Sequence, residues 1–351
     1  MTTEPDFMLN RPGALIAAVP AVLGFVPEKS LVLVTVDRGE LGAVMRVDLS
    51  PRLADTVDHI ADVAAAARPD AAIAVIVDAD GALCPMCAED FRELTRVLSE
   101  VLALQDITLL AAHVVDRIAA GGQWHCADMC GARGAVDDPS SSPLAMAAVL
   151  DGRRLYSRRA ELHQVIALTD PARTQRLARR IRRRLKVRDT DAIETGDGRA
   201  RRDIERAIAA VTGMGEGAEL SDAQVADLAC GLTDLTVRDT MYALAVGEMA
   251  AEAETLWAML CRTLPNPWRV EVLVLLAFSA YARGDGPLAG VALEAALRCS
   301  GEHRMASMLD TALQSGLRPE KIRDLALTGY RLADRLGVKL PPRRAFGRRA
   351  G

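Results

Sequence analysis

A chain of 351 residues exceeds the size at which a single hydrophobic core usually suffices, so its length predicts two domains. Half of its residues are apolar but only 3% are aromatic, a balance made up by Ala, Leu and Val that excludes a disordered chain and suits closely packed helices. The net charge of −4 hides a local extreme, because residues 173–188 hold nine Arg or Lys and no acid, leaving the remainder strongly acidic.

The N-terminus has no basic segment ahead of an apolar run. The longest apolar stretch, Val272 to Ala282, falls short of the roughly 20 residues that cross a bilayer. Seven cysteines, an odd number, argue against a disulfide framework. Together these predict a cytoplasmic protein with reduced thiols and no membrane partner.

Taken in chain order, residues 12–23 are predicted helical, bent or stopped near Pro20. Leu31 to Val36 and Leu41 to Leu49 flank the turn residues Asp37-Arg38-Gly39-Glu40, which makes a hairpin. Thr56 to Ala67 has helical spacing, and Ala71 to Val77 is the continuous apolar run of a strand buried on both faces. Glu89 to Leu104 is a second amphipathic helix, Ile107 to Val115 a strand, Gln123 to Cys126 another, and Pro143 to Leu150 begins a helix. This alternation predicts an α/β domain over residues 10–155, a mixed sheet with helices packed on it.

Beyond Ser157 no strand is predicted. Thr169-Asp170-Pro171 reads as a helix start and Ser221-Asp222-Ala223-Gln224 as a capping box, with polar breaks at 190–202 and 212–220. Residues 156–220 are expected to form a basic helical connector, 221–338 an all-helical domain, and 339–351 a disordered basic tail bearing Arg343, Arg344, Arg348 and Arg349. Ala251 to Cys261, Trp268 to Ala282, Pro287 to Cys299 and Met305 to Ser315 follow one another across short breaks, with Ala277, Ala280, Ala292, Ala295 and Ala296 placed for close helix contact. The spacing predicts a helical-hairpin array similar to tetratricopeptide units, with a bundle as the alternative because successive units share no fixed period.

Four cysteines are candidate zinc ligands. Cys84-Pro85-Met86-Cys87 and Cys126-x3-Cys130 each offer two thiolates at close spacing, and a structural zinc site needs four such ligands; free thiols are the plainer alternative. Cys84 and Cys87 also have the spacing of a redox pair ahead of a helix. Asp78 and Asp80 follow an apolar strand, where a carboxylate pair can hold a metal or activate water, although Asp-Ala-Asp-Gly is more simply a turn ending the strand. No phosphate-binding glycine loop and no nucleophile elbow occurs, and the five histidines are scattered singly.

In the basic stretch Arg173, Arg176, Arg180 and Arg184 form one helical stripe opposite Leu177, Ile181 and Leu185. Such a helix can track nucleic-acid phosphates, with Arg179, Arg180, Arg182 and Arg183 as the binding residues. Alternatively it is a solvated helix whose arginines pair with acids such as those at 189–207.

Several segments resemble an actinobacterial family known as domain of unknown function 4192. The residues that carry the likeness are Leu15-Ile16-Ala17-Ala18-Val19-Pro20, Leu23-Gly24-Phe25, Pro27, Ser30-Leu31-Val32 and Arg46-Val47-Asp48-Leu49. To these are added Trp124 with Cys126 and Cys130, Ser142-Pro143, Val237-Arg238-Asp239 and Ala282-Arg283-Gly284-Asp285. The family pattern has a Cys followed by a Cys-Cys pair and Pro, from which Cys126-Ala127-Asp128-Met129-Cys130-Gly131 departs. The resemblance implies no reaction. The sequence therefore ranks a non-enzymatic binding or scaffold protein first, meeting a protein partner through the helical array, then a nucleic-acid-associated protein, then a metal-dependent enzyme with its site at the strand ends.

Overall fold

The computed structural model describes residues 11–50, 53–66, 68–128, 130–150, 155–190 and 196–344. The chain divides into two compact units, Met1–Glu161 with Gln314–Gly316, and Leu162–Leu313 with Leu317–Gly351.

The first unit is a mixed six-stranded sheet with helices. It contains α1 (Pro12–Leu23), β1 (Ser30–Asp37), β2 (Glu40–Asp48), α2 (Ala54–Ala65), β3 (Ala71–Val77), α3 (Pro85–Ala103), β4 (Thr108–Val115), β5 (Gln123–Cys126), β6 (Arg133–Ala135) and α4 (Pro143–Leu150). The strand order is β2-β1-β3-β4-β5-β6, with β3 and β4 parallel and every other pair antiparallel. β3 is buried at all of its residues and β1 at all but its last, as continuous apolar runs in mid-sheet require. Leu31, Leu33, Ala74, Ile76, Ala112 and Val114 share one core with Val57 and Ile60 of α2 and Phe91, Leu98 and Leu102 of α3. The opposite parity, including Val34 on β1 with Leu41 and Val44 on β2, meets Leu15, Ala18, Val19 and Val22 of α1. The sheet thus lies between two helical layers.

Pro20 does not stop α1. The helix runs three residues further and closes at Gly24, whose φ of 74° is the left-handed conformation that glycine adopts without strain. α3 begins at Pro85, four residues before the expected start, because Cys84 caps it and proline suits the first helical position. The short strand β6 carries no apolar run and was not predicted.

The regular elements of the second unit among the described residues are all helices. α5 (Arg159–Ile166) leads into α6 (Pro171–Thr190), α7 (Gly196–Gly215), α8 (Asp222–Gly231), α9 (Leu235–Met241) and a 3-10 segment, Tyr242–Val246. Then come α10 (Ala250–Thr263), α11 (Arg269–Arg283), α12 (Gly286–Cys299), α13 (Arg304–Gln314) and α14 (Pro319–Arg335). Asp170 Oδ1 accepts the Arg173 N–H at 2.8 Å ahead of Pro171, and the Ser221–Gln224 capping box forms with both of its hydrogen bonds. The polar break expected at 190–202 is shorter than its composition suggests, since α7 is already helical from Gly196. Residues 191–195 lie outside the described residues.

α11 is buried from Val272 to Ala282 and packs against α10, α12, α14 and the 3-10 segment. Ala277, Ala280, Ala292 and Ala296 are fully buried where α11 and α12 approach, which is what their small size permits. The tetratricopeptide-like array is not confirmed. A repeat array keeps an outward face on each helix, whereas α11 is enclosed along its length. Of the expected basic tail, residues 341–344 run beside 246–248, with Glu248 N–H donating to the Pro342 carbonyl and Arg344 N–H to that of Val246. Residues 345–351, with Arg348 and Arg349, lie outside the described residues. None of the described helices is long and apolar enough to cross a membrane.

Candidate functional site

The parallel strands β3 and β4 deliver two carboxylates to one sheet edge, Asp78 and Asp116. Both fasten turns. Asp78 Oδ1 accepts the Asp80 N–H at 3.1 Å, and Asp116 Oδ1 accepts the N–H groups of Arg117 and Gln123 at 2.6 and 2.7 Å. Lys29 sits 2.8 Å from Asp80 and 3.6 Å from Asp78. Its ammonium holds the Asp80 carboxyl below the usual range, while Asp80 raises the lysine in return. The Asp78–Asp80 pair is therefore tied to a cation of the same chain.

Cys84 and Cys87 form one pair. Cys84 is the N-cap of α3 and its sulfur accepts the Cys87 backbone N–H at 3.4 Å. That N–H, and then the Cys87 thiol, hold Cys84 below the usual thiol pKa; donating to Cys84 pushes Cys87 up. Exposed Leu83 and Met86 flank the pair. Cys84 is expected to react with iodoacetamide several-fold faster than Cys87 or Cys126 at neutral pH, because only its thiolate is favoured. Peptide mapping of briefly labelled native protein checks this, and equal labelling of Cys84 and Cys87 contradicts it.

Cys126 and Cys130 form another. Their sulfurs and an Asp128 carboxylate oxygen lie within 4.8 Å of one another, the one such group of three or more metal-ligating residues among those described. Cys126 is buried whereas Asp128 and Cys130 are exposed. Burial, and then a hydrogen bond to Asp128, push the Cys126 thiol up to about 12. That hydrogen bond and the Cys130 N–H, at 2.9 Å, keep Asp128 ionised to lower pH than usual.

Cys84 and Cys87 do not join this group, and sheet parity gives the reason. Ala112, Val114 and Ala127 point to the α2–α3 layer, and His125, opposite Val114, reaches the Ala82 carbonyl on that side at 2.9 Å. Cys126 has the other parity. It stands opposite His113, whose ring lies edge-on to Trp124 at 5.0 Å. Burial lowers the His113 pKa while the Asp128 carboxylate opposes that shift. The sequence assigns no role to Asp128 and reads His113 as a core or edge residue: a lone histidine in an apolar strand acquires a neighbour only through strand register.

In the second unit α6 buries Leu177 and Ile181 completely and sorts its arginines by position. Arg173 pairs with Asp222 at 2.8 Å, Arg184 with Asp227 and Arg188 with Asp203. Arg182 lies over the Trp268 ring, 5.9 Å from its centroid. Arg176, Arg179, Arg180 and Arg183 are exposed, and among the described residues no acid pairs with them. At about 100° per residue these four fall within one 100°-wide stripe on the solvent side. The stripe read from sequence is thus redrawn: Arg173 and Arg184 turn to acids of α8, and Arg179 and Arg183 take their places.

The fold defines a protein with a sheet unit sandwiched by helices, followed by a helical unit with a basic outer helix. Residues 12–320 match the model of a domain of unknown function, DUF4192, and the chain belongs to that family. No curated protein and no solved structure matches it.

Proposed function

We propose that this chain is a binding protein rather than an enzyme, and that its second unit holds a nucleic-acid duplex along α6. The observation that carries this reading is the row of four arginines, Arg176, Arg179, Arg180 and Arg183, left without acids on a helix whose Arg173, Arg184 and Arg188 meet acids and whose Arg182 lies over Trp268. An otherwise acidic chain has carboxylates enough to neutralise them, so four uncompensated guanidinium groups side by side are a repulsive arrangement that a polyanion relieves. From Arg176 to Arg183 the helix rises about 10 Å, the axial span of about three phosphates on one strand of B-DNA. The row contains no aromatic residue to stack on single-stranded bases, so the favoured partner is a duplex read through its backbone.

Non-specific duplex binding is expected with a log–log salt slope of about −3, an affinity loss of about 60-fold between about 50 and about 200 mM salt. Replacing all four arginines by Gln, a good helix former, should flatten that slope toward zero, while four Lys retain it. Fluorescence anisotropy of a labelled duplex measures both. Absence of binding at low salt, or an unchanged slope in the Gln variant, rejects the proposal. The helical array as a docking face for a protein partner has less support, because its central helix, α11, is covered by its own neighbours. The proposal places the chain in the cytoplasm, where its seven thiols stay reduced.

A further inference from the structure

We propose that Cys126, Asp128, Cys130 and His113 form a zinc site at the β4–β5 edge of the sheet unit. Two sulfurs and a carboxylate oxygen already lie within 4.8 Å of one another; tetrahedral zinc with Zn–S bonds of about 2.3 Å holds its sulfurs about 3.7 Å apart, so an ion draws them together only slightly. Three ligands alone leave the coordination shell open, and the fourth comes from an independent feature. His113 is 6% exposed, and its Nδ1 is a buried polar atom without a hydrogen-bond partner, a state that costs free energy unless something occupies it. His113 and Cys126 are direct cross-strand partners, so their side chains leave the sheet on the same face at about 5 Å separation.

The ring lies outside the cluster of three. Four-coordinate binding requires the exposed side chains of Asp128 and Cys130 to approach the His113 ring, and Gly131, at φ 86°, provides the bend that follows Cys130. Two thiolates, an imidazole and a carboxylate are a donor set that suits zinc rather than calcium or magnesium, which take all-oxygen shells. Cys126 and Cys130 bind as thiolates and release their protons to solvent. The Cys84–Cys87 pair, at the opposite face, is not part of the site.

Cobalt titration of the full, reduced chain tests this. One Co²⁺ per chain should bind with tetrahedral d–d absorption and a thiolate charge-transfer band, and zinc should displace it. Cys126→Ser, Cys130→Ser and His113→Gln should each weaken zinc at least tenfold in competition with a chromogenic chelator. His113→Cys should keep tight binding and strengthen the charge-transfer band, which separates lost ligation from lost folding. The double variant Cys84→Ser/Cys87→Ser should bind as the unaltered chain does. No cobalt uptake, undiminished affinity in His113→Gln, or loss in the Cys84/Cys87 variant overturns the proposal. Duplex binding through α6 is a separate measurement and does not bear on it.

Discussion

Arg283→Ala is expected to destabilise the helical unit by about 3 kcal/mol, because it removes the cation that two carboxylates share in a largely buried corner. Arg283 ends α11, and its guanidinium pairs with Glu254 of α10 and with Asp285, the N-cap of α12, at 2.8 and 3.1 Å. The side chain of Asp285 is 5% exposed, whereas those of Arg283 and Glu254 keep about a fifth of their surface in water. That partial exposure, and a buried Nη1 without a partner, put the expected loss at the low end of the range for broken buried ion pairs. Asp285 retains the Leu288 N–H at 3.1 Å, so the start of α12 survives and the cost is electrostatic. Adding Glu254→Gln should recover part of the loss, and urea unfolding followed by circular dichroism on the singles and the double measures the coupling. A change below about 0.5 kcal/mol in Arg283→Ala, the level of an ordinary surface substitution, would show that the triad does not hold the three helices together.

Trp257→Ala should cost more, about 3–5 kcal/mol, since Trp257 on α10 is fully buried and is the largest side chain so enclosed. Trp257→Phe is the informative contrast. The indole Nε1 is buried with no acceptor, so the wild-type residue already bears the penalty of an unpaired donor. Phenylalanine removes that donor while leaving a smaller cavity, and the two effects oppose each other, for a net loss of about 1 kcal/mol or less. Thermal unfolding by far-UV circular dichroism reads both variants without relying on tryptophan emission. Equal destabilisation by Ala and Phe would mean that shape alone governs the position.

Much of the sheet unit was legible because its elements are local. Ala71 to Val77 is apolar without interruption, and the strand occupies those residues. The hairpin of β1 and β2 follows from two β-rich runs around Asp37-Arg38-Gly39-Glu40. β6 has too few residues and too little apolar content to be seen, and it forms because β5 offers it an edge. In the helical unit α6, α8 and α10 to α13 were visible from their caps and periodicity, whereas α5, α7, α9 and α14 were not delimited. The enclosure of α11 was not visible, since a helix apolar on every side reads the same whether it sits in a bundle or in a stack of hairpins.

The sequence by itself determined the two-part architecture, an α/β half then a helical half, because periods of 2 and 3.6 and capping residues are properties of neighbouring positions. It also placed Arg179, Arg180 and Arg183 on a basic helix and Cys126 on a strand. Only the tertiary structure decided which arginines meet acids, since Asp222 and Asp227 come from α8, dozens of residues away. Likewise only strand register sets Cys126 opposite His113 and on the other face from Cys84 and Cys87. A one-residue shift of β5 would exchange its faces; the alternation Gln123-Trp124-His125-Cys126 marks the more buried face, but which helical layer covers it is not local information.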